Sequence, residues 1–345
     1  MTGRNRRSGM REVAQAAGVS VSTVANVLSR PAIVAPETRQ RVEAAIAGVG
    51  YVPHGPARQL RGVPSPMVGS ITLDLANPFY AEVNRGIEDR LAPEGCLLLA
   101  GSTDLREDKE TRLLRLLQAQ AVRGVIISPF GTDLSRLLAL SRQGTPVVLV
   151  DHPGDGLGLC AVGADDVLGG RLAGEHLLAL GHRRIAYLGD SVNPAPVAGR
   201  REGLRQALAG FGLDPSAALL DLRLQLRPPS LTEAAAAAAE QILSASPPVT
   251  AVVCLNDTAA LGLLDGLEDQ GVRVPQDLSV VGYDDLSFAR RLTPPLTTVR
   301  QSPYRLGETA ADLLLDEARD RHEHRQVRLE PELVVRASTA PPYAP

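Results

Sequence analysis

The sequence predicts a small all-α head followed by a larger α/β body of doubly wound parallel sheets. Three observations carry this. Helical periodicity broken by one tight turn runs through the N-terminal segment as far as Val49. From residue 66 to 340, apolar strand-like runs alternate with amphipathic helical stretches. The charge also changes sign along the chain: residues 1–62 hold nine arginines against three glutamates, yet the 345 residues together carry 36 Lys+Arg, 39 Asp+Glu and a net −3. That length leaves room for two or three domains with sizeable cores.

Composition narrows the class. A charged fraction of 22% with 44% hydrophobic residues fits a folded chain rather than a disordered one. No apolar run approaches the ~18 residues that would span a bilayer, so no membrane partner is expected. Arg4, Arg6 and Arg7 precede no hydrophobic stretch, so a secretory leader is not expected and a cytoplasmic location is. Three cysteines, Cys96, Cys160 and Cys254, are too few and odd in number for a disulfide scaffold.

Residues 1–9 read as a flexible basic arm. Three helices follow, over Arg11–Ala17, Val21–Leu28 and Glu37–Val49. In the third, Val42, Ala45, Ile46 and Val49 recur at i, i+3, i+4 and i+7, which is one helix face. Pro36 suits a first turn, where its missing N–H is harmless. Gly18 can take the left-handed conformation of a tight turn, and Ser20 is a good N-cap for the helix behind it. Ala14, Gly18 and Val24 stand where a helix-turn-helix needs a small residue, a turn glycine and a contact between helices. Val13, Ala17, Val19 and Val27 complete a small core. A purely structural three-helix bundle is the alternative, but the basic balance favours an anionic partner, most simply DNA.

A reading head would turn the start of its second helix to the major groove. Val21, Ser22 and Asn26 are the candidates there, since Asn can pair with adenine and Val can touch a thymine methyl. Arg11, Thr23 and Arg39 suit phosphate contacts, with Ser20 beside them. After Tyr51-Val52-Pro53 comes a hinge over 54–65. Its segment Ala57 to Arg61 is too short to hold a helix alone in water. It could order on DNA with Leu60 as a minor-groove wedge, or be a plain linker.

The body's strand candidates are Val68–Leu73, Cys96–Ala100, Val125–Ser128, Val147–Val150, Ile185–Leu188, Ala251–Leu255 and Leu278–Gly282. Helical stretches such as Lys109–Ala121, Val167–Leu180 and Thr232–Leu243 separate them; the six alanines from Ala234 to Ala239 read as a packed helix face. Polar residues cluster just past these strands: Asp74 and Asn77, Ser102 to Asp104, Asp151, Asp190, Asn256 and Asp257, Asp284 and Asp285. Ligands of open α/β sheets bind outside the carboxyl ends of the strands. Such residues, with an arginine such as Arg200, could hydrogen-bond vicinal hydroxyls while Phe79 covers an apolar ring face. Each of these residues taken singly could instead be a helix cap.

The run from Arg11 to Val24 resembles the head of the lactose/galactose repressor (LacI/GalR) family. Thr38-Arg39, Gly50-Tyr51-Val52-Pro53 and Ala57-Arg58-Gln59-Leu60 match its third helix and hinge. The resemblance continues through Asn77-Pro78-Phe79-Tyr80, residues 146–151, 180–186, Asn256-Asp257, residues 281–285 and 335–339, so it spans nearly the whole chain. It implies a helix-turn-helix DNA-binding domain over 10–53, the hinge, and a periplasmic-binding-protein-like effector and dimerisation domain over 66–340. The two subdomains of that core would be about 66–163 plus 293–324, and 164–292 plus 325–340. The resemblance further implies a homodimeric transcriptional repressor on a pseudo-palindromic operator, controlled by a small-molecule effector, with a carbohydrate as the first expectation. Phe79, Asp151, Arg200, Asn256 and Asp284 match its effector-contact positions. Two departures stand out. Pro228-Pro229-Ser230-Leu231 occupies the place where the family often carries a stacking aromatic, and His54 stands where it commonly has Asn. A nucleoside or other non-sugar effector, or a metabolite-binding protein without a DNA role, are the competing expectations.

No enzyme pattern emerges. Gly156-Leu157-Gly158 starts a dinucleotide-like pattern, but Ala161 stands where its third glycine belongs; a phosphate loop and a Gly-x-Ser-x-Gly elbow are both missing. His176 and His182 are six apart, and His322 and His324 two apart with no neighbouring zinc spacing, so ordinary histidines are expected. No metal or cofactor is expected. The C-terminus carries no apolar heptads, so a coiled-coil tetramer is not expected.

Overall fold

The computed structural model describes residues 9–51, 65–131, 133–154, 156–191, 194–224, 231–317 and 322–343. Ala57 and Leu60 of the expected hinge, and Pro228 to Ser230, lie outside those residues. The chain divides into two compact units, a head that reaches Pro66 and a body that accounts for nearly all of the rest.

The head comprises α1 (Met10–Ala17), α2 (Val21–Ser29) and α3 (Pro36–Val49). Gly18 ends α1 at φ +64°, the left-handed geometry that lets the chain reverse into α2. Ser20 then caps α2, its Oγ accepting from the Thr23 N–H at 3.1 Å. Pro36 occupies the first turn of α3. Val13, Ala14, Ala17, Val24, Val27, Val42 and Tyr51 form the core, with Ala45, Ile46 and Val49 packed against it.

Among the described residues the body holds two six-stranded sheets. In chain order its elements are β1 (Met67–Thr72), α4 (Pro78–Leu91), β2 (Leu97–Ser102), α5 (Glu107–Ala119), β3 (Gly124–Ile127), α6 (Ser135–Arg142), β4 (Val147–Val150) and β5 (Cys160–Ala164). Then come α7 (Asp166–Ala179), β6 (Ile185–Asp190), α8 (Ala195–Gly210), α9 (Pro215–Ala218), β7 (Leu219–Leu224), α10 (Leu231–Leu243), β8 (Ala251–Cys254) and α11 (Asp257–Asp269). The last are β9 (Ser279–Asp284), β10 (Thr297–Arg300), α12 (Pro303–Glu317), β11 (Gln326–Leu329) and β12 (Glu332–Val334). Strand order is β11-β5-β4-β3-β1-β2 in one sheet and β12-β10-β9-β8-β6-β7 in the other. All neighbours run parallel except β10 and β12. Order reverses at β1 and at β6, the doubly wound pattern that opens a crevice at the carboxyl ends of the strands. The inner strands β3, β4, β6, β8 and β9 are buried throughout, as sheets covered on both faces require. In α10 the alanine run buries Ala235, Ala238 and Ala239.

Two crossings between the sheets fall later than the sequence suggests. β10 pairs with β9, so residues 297–300 belong to the second sheet, not to a first subdomain beginning at 293. β11 pairs with β5, so residues 326–329 belong to the first sheet, not to a second subdomain resuming at 325. The reason is physical. Thr297–Arg300 and Gln326–Leu329 are short, partly polar strands, and only pairing with a distant partner decides their sheet.

Backbone-close helix packing fixes the site. A Cβ at Gly170 of α7 would lie 1.9 Å from the Arg200 carbonyl oxygen of α8, and one at Gly203 would lie 2.0 Å from that of Val167. This close approach sets Arg200 beside Asp166. Among the described residues no helix is long and apolar enough to cross a membrane.

Candidate functional site

On the head, Val21, Ser22 and Asn26 are exposed on α2, and Arg11 is exposed on α1. Val21, 39% exposed, is an apolar side chain left in water at the start of the helix. The Ser20 hydroxyl is already engaged: besides its cap bond, it pairs with Ser22 Oγ at 2.7 Å and Thr23 Oγ1 at 2.8 Å. Arg39 is half-exposed, with Glu43 3.9 Å away one turn on. That pair is long and solvated, so it leaves the guanidinium able to turn elsewhere.

In the body, Phe79, Asp151, Arg200, Asn256 and Asp284 all line one cavity of about 690 Å3, measured out to its open mouth. The walls come from the carboxyl ends of both sheets: Leu73 and Asp74 after β1, Asp151 after β4, Asp190 at the end of β6, Asn256 after β8, Asp284 closing β9 and Gln301 after β10. Apolar lining is supplied by Leu105, Pro194, Pro196, Val197, Leu231 and Leu255.

Arg200 is the cation at the centre of this arrangement. Its Nε donates to Asp166 Oδ1 at 2.8 Å, its Nη1 to the Leu255 carbonyl at 2.5 Å, and its guanidinium lies 3.7 Å from the centroid of the Tyr283 ring. Gly169 leaves the space for that tyrosine, since a Cβ there would meet its hydroxyl at 2.2 Å. Asp151 takes a left-handed φ of +56°, and its Oδ2 accepts from the Tyr80 hydroxyl at 3.0 Å. Asp284 sits at φ +113°, a conformation that costs an L-residue ~1–3 kcal/mol and persists where surrounding structure imposes it. Its Oδ1 accepts from Gln301 Nε2 at 2.6 Å. Phe79 meets Tyr80 edge-on, centroids 5.1 Å apart.

Burial dominates the electrostatics. It pushes the Asp284 carboxyl up to about 8 against the pull of Arg200. It also raises Asp151, with repulsion from Asp166 adding to the effect. Water-poor surroundings disfavour the charged form of each acid. Among the described residues, the buried cavity atoms Asp151 Oδ1 and Gln301 Oε1 have no hydrogen-bond partner.

Not every clustered aspartate or asparagine turns to the cavity. Asp257, fully buried, instead accepts from Thr298 Oγ1 at 2.6 Å and from the Leu286 N–H at 2.7 Å, tying β10 and the turn after β9 to α11. Asn77 and Asn256 do cap helices, accepting from the N–H groups of Phe79 at 3.0 Å and Ala259 at 2.8 Å, while also lining the cavity. Sequence reasoning missed Tyr80, Gln301 and Asp166. The Asn77 to Tyr80 run could have found the first. Gln301 follows a four-residue strand with no apolar signature. The histidines also divide: His176 and His182 bond to Thr339 and Thr250, whereas His322 and His324, expected to be ordinary, stand beside Cys160 and Glu317.

Comparison with known proteins agrees with this architecture. Residues 9–54 match the bacterial regulatory proteins of the lacI family, and residues 175–339 match the periplasmic binding protein-like domain. The HTH-type transcriptional repressor PurR of Photobacterium profundum is 32% identical over 333 residues, covering 95% of this chain and 98% of that protein. The crystal structure of the Lac repressor dimer bound to operator and the anti-inducer ONPF is 28% identical with a TM-score of 0.79, over 97% of this chain and all of that one. A LacI family transcriptional regulator from Enterococcus faecium with bound ribose is 32% identical with a TM-score of 0.71, over 80% of this chain and 99% of that one. A helix-turn-helix head and an effector-binding body in this order, shared end to end with such a relative, mean that the chain belongs to the lacI family as a DNA-binding transcriptional repressor.

Proposed function

We propose that the protein acts in the cytoplasm as a homodimeric repressor of a pseudo-palindromic operator, and that a polyhydroxylated small molecule, a sugar or sugar derivative, sets its DNA affinity from the cleft. The observation that carries the ligand class is the surplus of acceptors. Among the described residues Asp151 Oδ1 and Gln301 Oε1 have no hydrogen-bond partner, and the Asp284 carboxyl stands in the same walls. Hydroxyl groups supply the missing donors, and Arg200 offers a strong cation among the described lining residues. Phe79 gives an apolar face for ring carbons. The ribose bound by the Enterococcus faecium relative supports this reading. A nucleoside is the second reading, favoured by the apolar stretch of Pro194, Pro196, Val197, Leu231 and Leu255, which suits a flat ring.

In this mechanism Val21, Ser22 and Asn26 read bases, Arg11, Thr23 and Arg39 hold phosphates, and Ser20 fixes the start of α2 at the DNA. Ala57 and Leu60 engage the minor groove at the operator centre. Effector binding favours one arrangement of the two subdomains, and the hinge transmits that preference; such coupling requires different effector affinities in the two states. Exposed Leu97 and Leu99 on β2 and Leu116 on α5 provide apolar surface for the dimer.

The test is operator binding by the full chain to sites selected from random DNA. The reading expects a palindromic consensus, affinity that falls steeply with salt, and release by a sugar. A ligand that binds the body without changing operator affinity would refute the control mechanism. Release by nucleosides alone would establish the second reading.

A further inference from the structure

A cluster outside the cleft gathers four side chains of metal-binding type. Cys160 opens β5, Glu317 closes α12, and His322 and His324 precede β11. One donor atom from each lies within 4.8 Å of all the others. Cys160 Sγ is 2.9 Å from His322 Nε2, while Glu317 Oε1 is 3.3 Å from His324 Nδ1 and 3.9 Å from His322 Nε2. Tetrahedral zinc with Zn–S of ~2.3 Å and Zn–N or Zn–O of ~2.0–2.2 Å places its donors ~3.4–3.6 Å apart, a spacing that these separations bracket.

A second observation points the same way. The Glu317 side chain is 5% exposed. Its Oε2 accepts from the Val147 N–H at 3.1 Å, but its Oε1, aimed into the cluster, has no hydrogen-bond partner among the described residues. Buried carboxylate oxygens are rarely left so. Cys160 Sγ already accepts from the Arg325 N–H at 3.3 Å, an outer contact suited to a thiolate ligand. One thiolate and one carboxylate would balance a divalent charge in this buried place. The donor set of one sulfur, two imidazoles and one oxygen is that of zinc rather than of magnesium or calcium.

We propose that Cys160, Glu317, His322 and His324 bind one zinc-class divalent ion as a structural staple. It joins the amino ends of β5 and β11, the far end of that sheet from the cleft. Both strands lead directly into crossings to the second sheet, so the ion would stiffen the segments on which the two subdomains move.

The experiment is a Co2+ titration of tag-free, full-length protein after dialysis against a chelator. The expected result is one equivalent bound with a thiolate-to-cobalt charge-transfer band, displaced by Zn2+, and a melting temperature lowered by chelation and restored by Zn2+. His324→Ala changes a half-exposed side chain and should leave the fold intact. It should weaken binding by more than the ~10–100-fold that loss of an outer partner costs. Cys160→Ser should remove the band. Absence of the band in the unmodified protein overturns the proposal, as does unchanged Co2+ affinity in His324→Ala.

Discussion

Arg200 shows how much of the site rests on single residues. A buried guanidinium is tolerable because Asp166, a backbone carbonyl and the Tyr283 ring answer it together. The acids around it are held towards their neutral forms by burial, Asp284 at about 8 and Asp151 at about 7. An acid that holds its proton more tightly when folded favours the folded state most at low pH, and that contribution is lost as pH rises through the folded value. Ligand-free protein should therefore lose stability between about pH 4 and about pH 8, and Asp284→Asn should flatten the loss; urea midpoints across that range measure it. A ligand whose hydroxyls donate to the ionised carboxylates should bind more tightly as pH rises over the upper half of the same interval. On the head, Asn26→Ala should relax preference at one operator position by about 1–3 kcal/mol, and an unchanged base profile would remove Asn26 from the reading face. At this scale Asp151, Asn256 and Asp284 were legible because each stands at the carboxyl end of a strand, whereas Phe79 and Arg200, on α4 and α8, were assigned through the family resemblance. The sequence hid Asp166 and Gln301, whose roles depend on partners 34 and 17 positions away.

Elements carry these residues into register. The α7–α8 contact tolerates no side chain at Gly170 or Gly203. Gly170→Ala should cost about 1–3 kcal/mol through overpacking. Because the clash is with the Arg200 backbone itself, it should weaken effector binding along with stability; calorimetry of both quantities tests this, and a loss of stability with binding intact would separate Arg200 from the cleft. Ser20→Ala should lower head stability by about 1 kcal/mol through loss of the α2 cap. Inner strands were readable because burial on both faces writes an uninterrupted apolar run such as Val147–Val150. The small-residue strand Cys160–Ala164, the charged edge strand Leu219–Leu224 and the short pair near residues 326–334 carry no such run. Their pairing comes from the sheet rather than from local preference, which is also why the expected crossings fell too early.

For the whole molecule, a repressor of this kind is a coupling device between DNA and ligand. If β2 and α5 form the dimer face, Leu97→Glu should shift the protein towards monomer and reduce operator affinity, measurable by sedimentation and by DNA titration. Effector binding to the isolated chain should survive. Control rests on the cleft, so the decisive experiment is unfolding free energy against a panel of sugars, sugar alcohols, nucleosides and amino acids, run beside Asp284→Asn. A true effector at ~100 times its dissociation constant should add about 2.7 kcal/mol of stability. A sugar should stabilise the unmodified protein and lose most of that effect in the variant. A stabilising ligand indifferent to Asp284, or silence across every sugar, would contradict it.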